Sequence, residues 1–175
     1  MGVVSAGDQD RLWDRHILDS LRGAPCLPEA ASVADLGSGG GLPGVPLAIA
    51  RPDLTFHLVE ARTRRASFLE LVVERLALAN VKVVVARAEE ASIMVDVCLA
   101  RALAPPERAW RLASKLLADR GLVVYWAGRS WGSEQGEALT RVGVTTEVCA
   151  APSAEWQGSV VKMARTVPPP DPGTR

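Results

Sequence analysis

Residues 33–52 read VADLGSGGGLPGVPLAIARP, with five glycines set between an apolar run and a stretch of helical character. Glycine adopts positive φ without steric cost and lets another molecule approach the backbone closely. A run of them directly after a buried strand therefore points to a loop shaped around a ligand. Two registers fit the loop. Asp35, Gly37, Gly39 and Gly41 form an acid-x-G-x-G-x-G pattern, and Gly39, Gly41 and Gly44 form G-x-G-x-x-G, the dinucleotide fingerprint. The dinucleotide register needs backbone N–H groups at a helix start to cradle pyrophosphate, and Pro43 and Pro46 remove two of them. Asp35 at the mouth repels a diphosphate and suits a cationic ligand such as S-adenosylmethionine. Glu60, 19 residues after Gly41, ends the next apolar run and supplies a carboxylate for ribose hydroxyls. Three readings stay open on these residues: a methyl-donor site, a nicotinamide site of an NAD(P)-dependent oxidoreductase, and a glycine turn without a ligand.

Working outward, apolar runs alternate with helical periodicity. Strands are expected at 32–36, 55–60, 81–86, 95–100, 122–126, 144–150 and 159–164. Helices are expected at 42–50, 65–79, 106–118 and 133–142. Such alternation implies right-handed crossovers and a mostly parallel, doubly wound α/β sheet, here of seven strands. Only the loop APSAEWQG joins the last two strands. They are expected to pair as a hairpin, which makes one late strand antiparallel. Ligands in such sheets bind beyond the carboxyl ends of the strands. Upstream, DQDRLWDRHILDSL predicts a short N-terminal helix over 8–22, capped by Asp8, with Leu12, Trp13, Ile17, Leu18 and Leu21 on its apolar side. Trp13 is expected in the core. No linker interrupts the pattern, so residues 1–165 are expected to form one domain, followed by a disordered proline-rich tail, TVPPPDPGTR, whose body is 166–175.

The whole chain has 175 residues, 48% hydrophobic and 23% charged, with zero formal net charge and a pI near 6.7. That excludes any global attraction to nucleic acid or membrane. Cys26, Cys98 and Cys149 are too few and too scattered for a disulfide framework or a metal knuckle. Buried thiols in a reducing cytoplasm are expected, with no metal. No apolar run reaches the roughly 18 residues of a membrane span, and the first ten residues lack the pattern of a signal peptide.

The segments DRHILDSL, DLGSGGGLPGVPLAIARPD, LVEARTRRASFLELV, NVKVVVARAEE and DVCLARALAP occur in this order between residues 14 and 105. Together they resemble the RsmG (GidB) family of small-subunit ribosomal RNA methyltransferases, over roughly two thirds of the chain (residues 11–128). The resemblance implies a class I S-adenosylmethionine-dependent methyltransferase fold, Rossmann-like, and methyl transfer to N7 of a guanine in 16S rRNA. The implied partner is the small ribosomal subunit, for a cytoplasmic monomer. It assigns the cofactor to Gly37, Ser38, Gly39 and Leu42, to Glu60 and Ala61, to Ala88 and Glu89 beside the adenine, and to Arg101 in an Arg-Ala motif, in addition to Asp35, which the residues themselves mark for a cationic ligand. Arg101 is also the residue expected to position the reactants. His16, Arg62, Arg64, Arg65 and Arg129 are candidate RNA contacts. His16 either orients its helix or, with Asp19, forms a lid over the mouth.

Two departures from the family bear on the acceptor. The family's amino-terminal helical region is usually longer than the one here. Where the family tends to carry lysine before glycine after the fifth strand, this chain has Ala127 before Gly128, with Arg129 nearby. A family-derived methyltransferase acting on another RNA or a small molecule stays open on these grounds, as does a protein that binds the cofactor without turnover. Basic residues still cluster: residues 62–87 carry six against Glu70 and Glu74, and residues 101–129 carry six against Glu107 and Asp119. Both segments follow strand ends on the expected binding side, which suits a phosphate-contacting patch.

Overall fold

The computed structural model describes residues 11–29, 31–129, 131–155 and 157–166. Asp8 and the proline-rich tail from residue 167 onward, both named above, lie outside them. Seven strands form one sheet in the order β3-β2-β1-β4-β5-β7-β6. They are β1 (Ser32–Leu36), β2 (Thr55–Val59), β3 (Val81–Val84), β4 (Val95–Arg101), β5 (Leu117–Trp126), β6 (Val144–Ala150) and β7 (Val160–Arg165). The first five run parallel, and β7 lies antiparallel between β5 and β6. The expected hairpin and its single antiparallel strand are therefore present.

Helices cover both faces. Leu47 and Ala48 of α2 (Gly44–Ala50) and Leu69 of α3 (Thr63–Arg75) join Val33, Phe56, Leu58, Val97 and Trp126 in one core layer. Ala109 and Ala113 of α4 (Pro106–Ala113) and Leu139 of α5 (Ser133–Arg141) join Leu36, Cys98, Val123 and Met163 in the other. β1 lies beside the central strand β4, where the strand order reverses, and every residue from Val33 to Leu36 is buried.

The structure corrects several expectations. The helix expected over 106–118 stops at Ala113, and Leu117 and Ala118 open β5. Leu117 pairs with Val95 and Leu122 with Val97, so a bulge around Gly121 extends the strand backward. A side chain at Gly121 would come within 2.9 Å of Leu117 Cβ, which is why the bulge carries glycine. The N-terminal helix is a π-helix over Trp13–Leu18 continued by α1 (Asp19–Leu21). Its wider winding turns the side chains away from a 3.6-residue stripe. Trp13 is 64% exposed and lies outside the core, and Leu12 and Leu18 are exposed as well.

The thiol expectation is also corrected. Cys26 and Cys149 form a disulfide across 123 residues of sequence, leaving Cys98 as the free, buried cysteine. The hairpin of β6 and β7 carries Cys149 to the segment after α1, a proximity that spacing along the chain does not encode. Burial pushes the Cys98 thiol up to about 12, so it is inert. A cross-link closing so long a loop contributes about 2–5 kcal/mol. Cys149→Ser is expected to lower the unfolding free energy in urea by that amount. Wild-type protein treated with dithiothreitol should then unfold with the variant.

Candidate active site

The carboxyl ends of β1, β2 and β4 converge on the glycine loop. Gly37, Gly39 and Gly41 have φ of +69°, +55° and +87°, a region other residues rarely enter. Gly37 and Ser38 donate their N–H groups to Val59 O (2.9 and 3.1 Å), which folds the loop back over the end of β2. The Glu60 carboxylate then braces it. Its Oε2 accepts from Gly39 N at 2.9 Å and its Oε1 from Arg62 N at 2.8 Å. Each oxygen keeps a second lone pair, so Glu60 can also accept from a ligand.

Asp35 lies behind the loop and not at its mouth. It is 1% exposed, and its Oδ2 accepts from Gly44 N at 3.1 Å. Burial raises its pKa from 3.8 to about 7, against the opposing pull of the Gly44 bond, Ser38 and Arg101. Gly44 is the close-approach glycine of the site, since a Cβ there would stand 2.5 Å from Leu58 Cδ2 and 2.7 Å from Asp35 Oδ2. Ser38 is buried too and donates its Oγ to Asp35 O at 2.8 Å.

Two hollows open along this edge. The smaller, of about 270 Å³, is lined by Gly37, Glu60, Ala61, Ala88 and Glu89. Leu103 and Arg108, which sequence reasoning did not single out, complete its wall. The larger, of about 490 Å³, is lined by His16, Asp19, Arg22, Arg101 and Arg129 on its polar sides, with Tyr125 among its aromatic walls. Consecutive residues at and past the end of β4 line both hollows: Arg101 and Ala102 line the larger and Leu103 the smaller. Ala102 has φ of +52°, a strained non-glycine conformation just past the strand end.

Other expected positions fall elsewhere. Leu42 lines an apolar groove with Trp13 and Ile17 on the opposite side of the loop. Arg62 and Arg64 are exposed and Arg65 half-buried at the start of α3, outside both hollows. His16 and Asp19 do border the larger hollow. Arg22 was not foreseen; it binds backbone carbonyls far along the chain, which no motif advertises. Burial lowers the pKa of Arg101, and Asp19 and Asp35 counter it. Among the described residues no three His, Cys, Asp or Glu side chains group as metal ligands, and no helix is long and apolar enough to cross a membrane.

The chain is similar in sequence and in fold to known proteins. A ribosomal RNA small subunit methyltransferase G from Nocardioides sp. is 42% identical over 171 residues, covering 95% of this chain and 66% of its own. One from Acidothermus cellulolyticus is 43% identical over 131 residues, covering 74% and 59%. This chain thus spans about three fifths to two thirds of the length of those relatives. Among solved structures, M. jannaschii TYW2 in complex with AdoMet superposes with a TM-score of 0.64 at 17% identity, covering 88% of this chain and 78% of its own. A SAM-dependent methyltransferase from Aquifex aeolicus gives 0.63 at 18%, covering 91% and 94%. These likenesses bear on the fold, which is the class I, Rossmann-like methyltransferase fold. The family described as GidB, rRNA small subunit methyltransferase G, matches residues 1–153, and the chain belongs to that family.

Proposed function

We infer that this chain transfers a methyl group from S-adenosylmethionine to N7 of a guanine in 16S rRNA. The observation that carries the reading is the pairing of two adjoining hollows on one sheet edge. One is floored by the glycine loop and the Glu60 carboxylate, and the other is lined with arginines. The smaller hollow fits the nucleoside part of the cofactor. Glu60 keeps acceptor capacity for ribose hydroxyls, Ala88 and Glu89 flank the position expected for adenine, and a Cβ at Gly37 would crowd Leu103 Cδ1 at 3.0 Å. Bound there, S-adenosylmethionine supplies an electrophilic methyl on its sulfonium.

The chain's own task is alignment. Guanine N7 has a lone pair and no proton at neutral pH, so no general base is needed and none is named. Holding two groups in line is worth several kcal/mol by itself. Arg101 lines the larger hollow at the end of β4 and is assigned to orient the acceptor, with Arg129 and His16 at the rim. Arg62, Arg64 and Arg65 at the start of α3 would meet phosphates farther out. The target guanine must be in a loop or flipped from its stack to enter. On this reading the protein acts in the cytoplasm, as a monomer on its substrate.

A second reading rests on Ala127. This residue is buried and its N–H donates to Ser159 O at 2.9 Å; where the family tends to carry lysine it offers only a methyl group, with Arg129 two residues on. A family-derived methyltransferase for another RNA or a small acceptor follows from that. The deciding assay incubates the protein with methyl-labelled cofactor and small ribosomal subunits, free RNA or small acceptors. Label at a 16S guanine N7 is expected. Label only on a small acceptor favours the second reading. Calorimetric binding of NAD(H) without S-adenosylmethionine would overturn both.

A further inference from the structure

One carboxylate holds two guanidinium groups beside the larger hollow. Asp19 Oδ1 lies 2.8 Å from Arg22 Nη1, and Asp19 Oδ2 lies 3.2 Å from Arg101 Nη2. The Asp19 side chain is 12% exposed, so the contacts sit in a poorly solvated site where geometry is held. Arg22 carries the chain of contacts onward. Its Nη2 donates to Ala150 O (3.2 Å), Ala151 O (2.9 Å) and Gly158 O (2.8 Å). Those carbonyls bracket the connection between β6 and β7, which borders the same hollow at Gln157 and Gly158. The Asp19 backbone is fixed as well, since Trp126 Nε1 donates to Asp19 O at 2.9 Å.

Arg101 is anchored from one corner. Its contacts to Asp19, to Arg15 O (3.0 Å) and to His16 Nδ1 (3.4 Å) all pass through Nη2. Nη1 and Nε make no hydrogen bond to the described residues, and the side chain lines the hollow. A guanidinium is a rigid planar fork, so fixing one nitrogen sets the direction of the others.

We propose that Asp19 and Arg22 are positioning residues: Asp19 clamps one corner of Arg101 so that its other edge faces the acceptor, and Arg22 ties that clamp to the β6–β7 connection. This rests on the methyl-transfer reading above, in which Arg101 meets the acceptor. The chemistry that Arg101 would recognise is a carbonyl or phosphate oxygen of RNA, either of which accepts from a planar fork. A misplacement of about 1 Å costs on the order of a hundredfold in rate, so the clamp acts on turnover more than on capture.

The test compares Asp19→Asn, Arg101→Gln and the double variant in the small-subunit methylation assay. Asp19→Asn is expected to lower kcat about 10- to 100-fold, with KM for RNA and the affinity for S-adenosylhomocysteine each within about threefold of wild type. The double variant should lose no more than Arg101→Gln alone. Additive losses, or kcat within twofold, would overturn the proposal. Should Asp19→Asn melt before assay, Arg22→Lys takes its place: it keeps the charge but loses the fork, and should lower kcat in the same direction. Nitrogen-15 spectra of labelled arginine give a readout that needs no acceptor. Slowed rotation of the Arg101 terminal nitrogens is expected in wild type and should be lost in Asp19→Asn. If wild type methylates no RNA, the functional reading fails while these spectra still decide the clamp; an unchanged Arg101 signal sinks it.

Discussion

Glu60→Gln is expected to weaken S-adenosylhomocysteine binding about a hundredfold, or about 2.7 kcal/mol. The reason is that one buried carboxylate does two jobs. It accepts from the N–H groups of Gly39 and Arg62, which sets the loop, and it faces the smaller hollow, where ribose hydroxyls would be received. Glutamine keeps one acceptor oxygen. Its amide NH2 must then point at a backbone N–H, donor against donor, in a position only 5% exposed. An unsatisfied buried donor costs about 1–3 kcal/mol, and the ligand loses a charged acceptor besides. Titration calorimetry checks the value; affinity within threefold of wild type would remove Glu60 from the cofactor site.

Asp35→Asn should do the opposite to stability. The Asp35 carboxyl titrates near 7 in the folded protein and near 3.8 when exposed. Below about pH 4 both states hold the proton, and the group costs nothing. Between pH 4 and 7 the unfolded chain releases its proton while the native state keeps it, so stability falls as pH rises. Above 7 both states are ionised and the cost is constant. At about 1.4 kcal/mol per pH unit, the total is on the order of 4 kcal/mol. Asparagine carries no charge and retains an oxygen for the Gly44 N–H. Urea unfolding at pH 4, 6 and 8 should show the variant and wild type nearly equal at pH 4. The variant should gain as pH rises to about 7 and hold that advantage at pH 8. Parallel curves would mean that Asp35 is ionised without penalty. That the chain keeps an acid there fits a general pattern, in which a binding site carries a stability cost for its chemistry.

Strand assignment from sequence worked where apolar runs were bounded by glycine, proline or charge, as at β1 and β6. It failed where two periodicities overlap. Leu116 and Leu117 continue the helical spacing of α4, and only their pairing beside Val95 turns Leu117 into strand. Trp13 was misplaced because a π-helix shifts the angular spacing on which the argument rests. At the site, the positions that directly follow parallel strands were legible, since strand ends in this architecture must face one edge: Gly37 after β1, Glu60 and Ala61 after β2, Arg101 at the end of β4. Asp35 was legible as a residue of the site but not as one behind the loop, because depth depends on Gly44 and Leu58 closing over it. Arg22 and the Cys26–Cys149 pair were illegible for one reason. The cysteines lie more than a hundred residues apart, and apart from Asp19 the partners of Arg22 are equally distant bare carbonyls with no side-chain signature.

The order of the strands has a consequence for how the chain is made. β7 is the last strand in sequence but lies inside the sheet, joining β5 to β6. Until residues 160–165 leave the ribosome, β5 presents an open margin of unpaired N–H and C=O groups, and β6 has no strand to pair with. Assembly of this half must therefore wait until residues 160–165 are made, and a nascent polypeptide halted before residue 160 should be prone to aggregate along that margin.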